Sequence, residues 1–358
     1  MNMIELRNVS RRYGNVQALS TVNLSIKKGE FVTLLGPSGS GKTTLLNLVA
    51  GTVPPSTGQV LINGEDVTTK PPSERGLGMV FQNYALMPHM TVYENIAFPL
   101  RVRRLPSAEI KKKVRDVLDL VRLPGVADRK PKALSGGQQQ RVSLARCIVY
   151  NPALILLDEP LGALDKKLRE QMQLEIRRVH AELGITMLNV THDQDEALTM
   201  SDRIILMNEG RIEQEASSEA LYFQPETVFA ADFVGSANLV DGTIRAREAD
   251  MLTVETGLGA LRLPAPQGLG STATAVTILL RPESLTLSRE SAGADPAHSA
   301  TGVLEDSIMM GSTVRHHVRI AGDLLITVQE QNQRHRARVP RGSPVFIQWS
   351  PKDCLVLP

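Results

Sequence analysis

Cysteine is almost missing from this chain: Cys147 and Cys354 are the only two in 358 residues, far apart and without metal-type spacing. That excludes a disulfide-stapled scaffold and fits a reducing compartment. Aromatic residues make up only 4% of the chain, with a single tryptophan, and in the C-terminal part their scarcity, with no basic run, leaves a single-strand nucleic-acid binder without stacking platforms. Neither sign of charge dominates: 40 Lys and Arg against 38 Asp and Glu leave a net charge of +2. A balanced chain gives no electrostatic reason to expect nucleic acid or anionic lipid as its main partner. Long hydrophobic runs are absent too. The best, at 153–157 and 273–280, are strand-sized and fall short of the ~18–20 apolar residues that cross a bilayer. Residues 1–7 place an acid and a base before any apolar run, which is not the pattern of a signal peptide. These absences lead us to expect a soluble cytoplasmic protein.

The length is comfortable for two domains. Segments 3–9 and 17–26 read as strands, and 31–35 (Phe-Val-Thr-Leu-Leu) as a buried parallel strand ending at Gly36. Residues 43–50 then have helical spacing, so the unit is strand, glycine loop, helix. A helical stretch follows at 105–128, with Ile110, Val114, Val117, Leu118 and Val121 on one face. Lys111, Lys112 and Lys113 lie on its solvent side and read as a solvated face rather than a phosphate patch. Strands are expected at 153–157 and 186–190, with helices at 139–150 and 165–183. This alternation predicts an α/β domain with a parallel sheet covered by helices. The texture changes after about Gly235. Short β-branched segments at 252–255, 275–280, 314–320 and 324–328 predict a small all-β domain of oligonucleotide- or oligosaccharide-binding type. The expected domains are 1–235 and 236–358.

Gly36-Pro37-Ser38-Gly39-Ser40-Gly41-Lys42-Thr43 matches the phosphate-binding loop pattern between a strand and a helix. Small residues let backbone N–H groups turn toward phosphate oxygens, and the following helix adds its positive end. Lys42 suits the β- and γ-phosphates, and the Thr43 hydroxyl suits Mg²⁺. Leu154-Ile155-Leu156-Leu157-Asp158-Glu159 is an apolar strand ending in two acids. Asp158 would stand beside the metal, and Glu159 would polarise an attacking water or simply cap the next turn. Leu134-Ser135-Gly136-Gly137-Gln138 opens another helix and forms a second anion-type N-terminus, with Ser135 as an extra donor. Two phosphate sites on one chain suggest a nucleotide held between two copies.

With these motifs in this order, residues 4–238 resemble the ATP-binding subunit of an ABC transporter. The resemblance implies further roles, all at positions that match. Tyr13, in Arg12-Tyr13-Gly14, would stack on adenine, or else be a partly buried strand residue. Thr44 follows Thr43 in the nucleotide site. Gln82, in Val80-Phe81-Gln82-Asn83-Tyr84, would sense Mg²⁺ and the attacking water. Gly162-Ala163-Leu164-Asp165 would cross a dimer interface, and His192, in Val190-Thr191-His192-Asp193, would contact the γ-phosphate. Two copies would sandwich two ATP molecules, each between one chain's residues 36–43 and the other's Ser135, Gly136, Gly137 and Gln138. Glu159, His192 and Gln82 would be the catalytic set, and Thr43, Gln82 and Asp158 the Mg²⁺ set. Residues 83–95, unusually apolar for a loop, would receive two integral-membrane permease subunits, or pack in part into the core. A solute-binding protein would be an indirect partner, and the chain would sit peripherally on the cytoplasmic face of the inner membrane.

The C-terminal part resembles the regulatory TOBE domain of importer ATPases, with Arg281-Pro282-Glu283 as its arginine-acid motif. Arg315, His316 and His317 read as strand-surface alternation rather than metal ligands. Residues 162–182 and 214–240 most resemble the spermidine/putrescine importer group, with ferric iron and sugar importers as alternatives. A soluble non-transport ABC protein is disfavoured by the single cassette without a long insertion, and a P-loop kinase by the Ser135 motif and His192.

Overall fold

A computed structural model describes residues 1–248, 250–266, 269–289, 298–334 and 339–358. The chain forms two compact units, Met1–Leu221 and Tyr222–Pro358.

In the first unit, β1 (Asn2–Tyr13), β2 (Val16–Lys27), β4 (Thr57–Ile62) and β5 (Glu65–Asp66) make an antiparallel sheet in the order β2-β1-β4-β5. A second sheet runs β10-β9-β3-β8-β7-β6. Its strands are β3 (Phe31–Leu35), β6 (Gly78–Val80), β7 (Leu154–Asp158), β8 (Thr186–Thr191), β9 (Arg203–Asn208) and β10 (Arg211–Ala216). All neighbours in it are parallel except β10 against β9. The helices are α1 (Lys42–Ala50), α2 (Val92–Val102), α3 (Ser107–Leu120), α4 (Gly136–Ile148), α5 (Lys166–Leu183) and α6 (Gln194–Met200).

Strand periodicity divides the hydrophobic residues between two cores. Leu154 and Leu156 pack with α1 and the antiparallel sheet. Ile155 and Leu157 face the other way, against α2, α3, α4 and α5. A strand buried on both faces has to be apolar at every position, which is why these strands are legible as unbroken runs. The expected helix at 139–150 instead begins at Gly136 and ends at Ile148, because a Ser135–Gln138 capping box starts it over both glycines. In the stretch 83–95, Val92 already belongs to α2, whose N-cap is Thr91.

The helix α7 (Ser218–Phe223) spans the division between the units. The second unit continues with α8 (Val228–Phe233), β11 (Asn238–Glu248), β12 (Met251–Thr256), β13 (Gly259–Pro264), β14 (Ala275–Leu280), β15 (Thr286–Ser288), β16 (Ser299–Met309), β17 (Thr313–Ile320), β18 (Leu325–Gln331), β19 (Pro344–Gln348) and β20 (Cys354–Leu357). Its strands form two five-stranded antiparallel sheets, β13-β12-β11-β14-β20 and β15-β19-β16-β17-β18, which share one core. The strand alternation at 315–317 turns His316 inward: it is buried, with Nδ1 2.8 Å from Ser307 Oγ and Nε2 3.5 Å from Glu330 Oε2.

Arg281 is buried and ties this unit together. Its guanidinium donates to the carbonyls of Ala231 (2.9 Å), Ser236 (3.0 Å) and Tyr222 (2.9 Å) and stacks on the Tyr222 ring. Glu283 accepts from the Tyr222 hydroxyl, so the arginine-acid pair shares one aromatic partner. Arg281→Met leaves three carbonyls without their donor and should cost about 2–4 kcal/mol. Trp349, the only tryptophan, is buried in the same unit. Its fluorescence in a urea titration should therefore show the earlier midpoint, and an unchanged midpoint would refute this role.

Candidate nucleotide-binding and catalytic site

Strand register fixes where the site lies. Val80 pairs with Leu157, Asp158 with Val190, and Leu35 with Thr191. The residues that follow these strand ends, Phe81 and Gln82, Glu159, Gly36 and His192, therefore leave the parallel sheet along one edge. In open α/β sheets the carboxyl edge is where ligands bind.

The loop of residues 36–41 wraps its own lysine. Gly36 has no room for a β-carbon, which would stand 2.2 Å from the Met207 carbonyl oxygen and 2.8 Å from Ser40 Oγ. Lys42 is buried, and its ammonium donates to the Gly36 and Pro37 carbonyls, both at 2.8 Å, and to Ser40 Oγ at 3.4 Å. Burial pushes its pKa below the ordinary ammonium value, and the Glu159 charge opposes the fall. Gly41, in a left-handed conformation, is the N-cap of α1 and supplies no side-chain cap, so the first-turn amides keep their donors for a ligand. Ser38 and Gly39 form the outer turn; Thr43 is exposed and Thr44 half-buried.

Three of the expected residues meet at one carboxylate. Gln82 Nε2 donates to Glu159 Oε2 at 3.1 Å, and His192 Nδ1 lies 3.1 Å from Glu159 Oε1. Glu159 takes a positive φ of 42°, a conformation that costs a non-glycine residue about 1–2 kcal/mol, and its N–H is held by the Val190 carbonyl at 3.0 Å. Gly162 sits against the same cluster: a β-carbon there would lie 3.7 Å from Gln82 Nε2 and 3.9 Å from Glu159 Oε2. The Asp158 carboxyl is pushed upward, first by burial and then by the Glu159 charge. Its side chain makes no hydrogen bond or ion pair among the described residues.

The stretch after Gln82 is rigidly held. Tyr84 and Ala85 both have positive φ (61° and 47°). Arg146 of α4 donates to their carbonyls at 3.0 and 2.7 Å, and Ser143 adds a bond to the Tyr84 carbonyl at 2.9 Å. Asn95, fully buried, donates to the carbonyls of Met87, Met90 and Thr91 and accepts from the Met87 N–H. Of the apolar residues read here, Tyr84 and Val92 are core, while Leu86, Met87, Met90 and Tyr93 are half-buried.

Ser135 and Gln138 form a reciprocal cap: Gln138 N donates to Ser135 Oγ at 3.4 Å and Ser135 N to Gln138 Oε1 at 3.0 Å. The Ser135 hydroxyl thus uses an acceptor site and keeps its hydrogen to donate. Gly136 and Gly137 lie against Leu164 and Leu168, so packing as well as anion chemistry calls for small residues there. Asp165 is the N-cap of α5, accepting from Leu168 N. Tyr13 stands at the end of β1, 43% exposed, with the Arg11 guanidinium 4.4 Å from its ring centroid.

Sequence reading missed Arg146, Asn95, Arg169 and Glu196. Arg146 had a signal, being a cation inside an otherwise apolar turn, between Val142, Ala145 and Val149. Asp193 and Glu196 show the spacing of a helix-start box. A cavity of 410 Å³ in the second unit, lined by Ser307, His316 and Glu330, contributes none of these groups. Among the described residues there is no cluster of three or more metal-ligand side chains.

Residues 19–162 match the ABC transporter family and residues 278–357 the TOBE domain. The chain is 44% identical over 357 residues to the spermidine/putrescine import ATP-binding protein PotA of Rubrobacter xylanophilus, covering 99% of this chain and 93% of that protein. It is 43% identical over 359 residues to the putrescine transport ATP-binding protein PotG of Escherichia coli, covering 99% and 95%. The dimeric bacterial ABC transporter cassette MJ0796 superposes with a TM-score of 0.54 at 39% identity, covering 60% of this chain and 99% of that one. CbiO1 of Clostridium perfringens, part of the transporter complex cbiONQ, superposes with a TM-score of 0.59 at 29% identity, covering 65% and 92%.

Glu196 gives this region a pH signature. It is buried beside β8, where Asn189 and Thr191 donate to its two oxygens (3.0 and 3.1 Å), and burial raises its pKa to about 7. A carboxyl whose folded pKa lies above its unfolded value stabilises the fold at low pH, and the contribution is lost as pH rises toward 7. Glu196→Gln should therefore gain on the wild type as pH goes from 5 to 8, by an amount on the order of 2 kcal/mol. Thermal unfolding of both proteins across that range is the check; a constant difference would refute it.

Proposed function

The chain belongs to the ABC transporter family as an ATP-hydrolysing import subunit that works through a separate permease, and from this premise we propose its substrate, site chemistry and partners. Its solute is a polyamine, spermidine or putrescine; support comes from relatives of that name over almost the whole chain. We keep a functional division into a cassette over 1–235 and a regulatory domain over 236–358, on the change of composition there, although residues 222–235 pack with the second compact unit.

The observation that carries the site assignment is the shared carboxylate of Glu159, held by Gln82 on one oxygen and His192 on the other. A carboxylate fixed at both oxygens keeps its lone pairs aimed, which is what a base for one water needs. Phosphate oxygens are charged acceptors and stronger than carbonyls, so ATP would draw Lys42 from Gly36 and Pro37 onto its β- and γ-phosphates. Amides of residues 38–44 would ring the phosphates, and Tyr13 would stack its free face on adenine. Magnesium fits the donors present, a half-buried Asp158 without a partner and an exposed Thr43 hydroxyl. Thr43, Asp158 and Gln82 would hold it, and it would supply neutralisation of phosphate charge.

The water oxygen attacks the γ-phosphorus, its proton passes to Glu159, and the bond from the γ-phosphorus to the bridging oxygen breaks, with the electron pair leaving on ADP. His192, released from Glu159, donates to the γ-phosphate. Ser135, Gly136, Gly137 and Gln138 of a second copy close over the same phosphates, and Asp165 lies at that junction. ATP thereby shuts the dimer and hydrolysis reopens it. Residues 83–95 dock on two permease subunits at the cytoplasmic face of the inner membrane, with a solute-binding protein as indirect partner. Their clamping by Arg146 and Asn95 supports a rigid contact.

Glu159→Gln should lower turnover at least a hundredfold, roughly the loss of a general base, yet still dimerise with ATP in size-exclusion chromatography. A variant that stays monomeric with ATP would sink the sandwich. Cells lacking the chain should lose uptake of radiolabelled putrescine or spermidine and recover it on complementation; normal uptake would overturn the polyamine assignment.

A further inference from the structure

Exposed catalytic residues need something to hold their backbone, and for His192 part of that support is one guanidinium. Its side chain is 59% exposed and touches only Glu159 among the contacts of the cluster. The residues on either side of it are anchored instead. Asp193 N donates to Thr191 Oγ1 (3.0 Å), and Thr191 Oγ1 donates to buried Glu196 (3.1 Å). One oxygen of Asp193 caps α6 by accepting from Glu196 N (3.1 Å). The other accepts from Arg169 Nη1 at 2.8 Å.

Arg169 reaches there from the first turn of α5. Its N–H bonds the Asp165 carbonyl at 2.8 Å, and its second terminal nitrogen donates to the Leu164 carbonyl at 3.1 Å. A single planar fork thus joins the 161–165 loop to the turn that carries His192. Both partners of the charge pair are partly exposed, at 30% and 24%. Such pairs add little to stability, so the geometry is the point. Arginine delivers two bonds in fixed directions from different nitrogens; lysine has one flexible ammonium.

We propose that Arg169 is a positioning residue that ties His192 to the 161–165 loop, so that the placement of one sets the placement of the other. It acts through Asp193. The proposal rests on the sandwich reading, in which Asp165 meets the second copy. Contact there would shift the Leu164 carbonyl, and Arg169 would pass the shift to Asp193 and so to His192.

The test is steady-state ATP turnover by the purified full chain with Mg²⁺, for Arg169→Gln, Arg169→Lys, Asp193→Asn and the double variant Arg169→Gln/Asp193→Asn. We expect kcat to fall at least tenfold in each Arg169 variant, with KM for ATP within twofold. Lysine should fail to rescue, because it cannot make both bonds. The double variant should be no slower than the slower single. Asparagine keeps the cap on α6, so Asp193→Asn reports on the link even if Arg169→Gln does not fold. Wild-type kcat in folded Arg169→Gln, full rescue by lysine, or multiplied losses in the double variant would each overturn the proposal. Dimerisation of Glu159→Gln keeps the two readings apart. If that variant dimerises and the Arg169 variants turn over normally, only the positioning role fails; if it stays monomeric, the sandwich itself fails.

Discussion

Parallel hydrogen-bond register is the constraint on which the rest of this molecule depends. Leu35, Val80, Asp158 and Thr191 are the last residues of four strands, and ladder pairing sets their ends within a residue or two of one another. None of the loops that follow needs to find its neighbours. A slip of one residue in β7 would move Glu159 by one strand position and turn Leu154 and Leu156 toward the wrong core. The hydrophobic division between the two faces of the sheet therefore protects the register, and the register places the chemistry.

In both units, cations withdrawn from water are spent on backbone carbonyls: Lys42, Arg75 and Arg281 are buried and Arg146 is half-buried. Lys42 holds the phosphate loop, and Arg146 holds the turn at Tyr84 and Ala85. Arg75 donates to the carbonyls of Leu48, Val49, Thr68 and Lys70 at the end of α1. Arg281 does the same in the second unit. Burial depresses the pKa of all four, a measure of what desolvation costs them. A guanidinium can satisfy several carbonyls that have left regular ladders, which one neutral donor cannot. This is how the chain keeps Tyr84 and Ala85 in a left-handed conformation without glycine.

The legible parts of the sequence were those in which one residue type has one physical use. Fully apolar strands such as 31–35 cannot be amphipathic surface, and a loop with Gly36 against the Met207 carbonyl admits nothing larger. Ser135 and Gln138 were legible as a helix start, but not as each other's cap, because reading phosphate chemistry there hid the local one. His316 was read as surface because strand alternation alone does not say which face is inward; that depends on β16 and β18 lying beside it. Arg169 and Asn95 were illegible, and Glu196 legible only as a helix-start spacing and not as a buried acid, for a common reason. Their partners lie on other elements or on the backbone, so their function exists only once the sheet edge has been assembled.

The proposed site is also open to water in one chain. Gln82 and Thr43 are exposed, His192 is largely so, and Lys42 is the one charged donor of the phosphate loop that is withdrawn from water. In water a charge pair at contact distance is worth about 1 kcal/mol, and several times that once solvent is excluded. A base held only by exposed hydrogen bonds at an open edge has little power to polarise a water. Covering the edge with a second surface rich in N–H donors changes the dielectric and the geometry together. In the sandwich we propose, the Ser135 cap of a second copy is that surface, with its hydroxyl hydrogen available to donate. In the dimer we propose, hydrolysis and closure are coupled by construction: the event that brings two copies together is the event that gives Glu159 its strength.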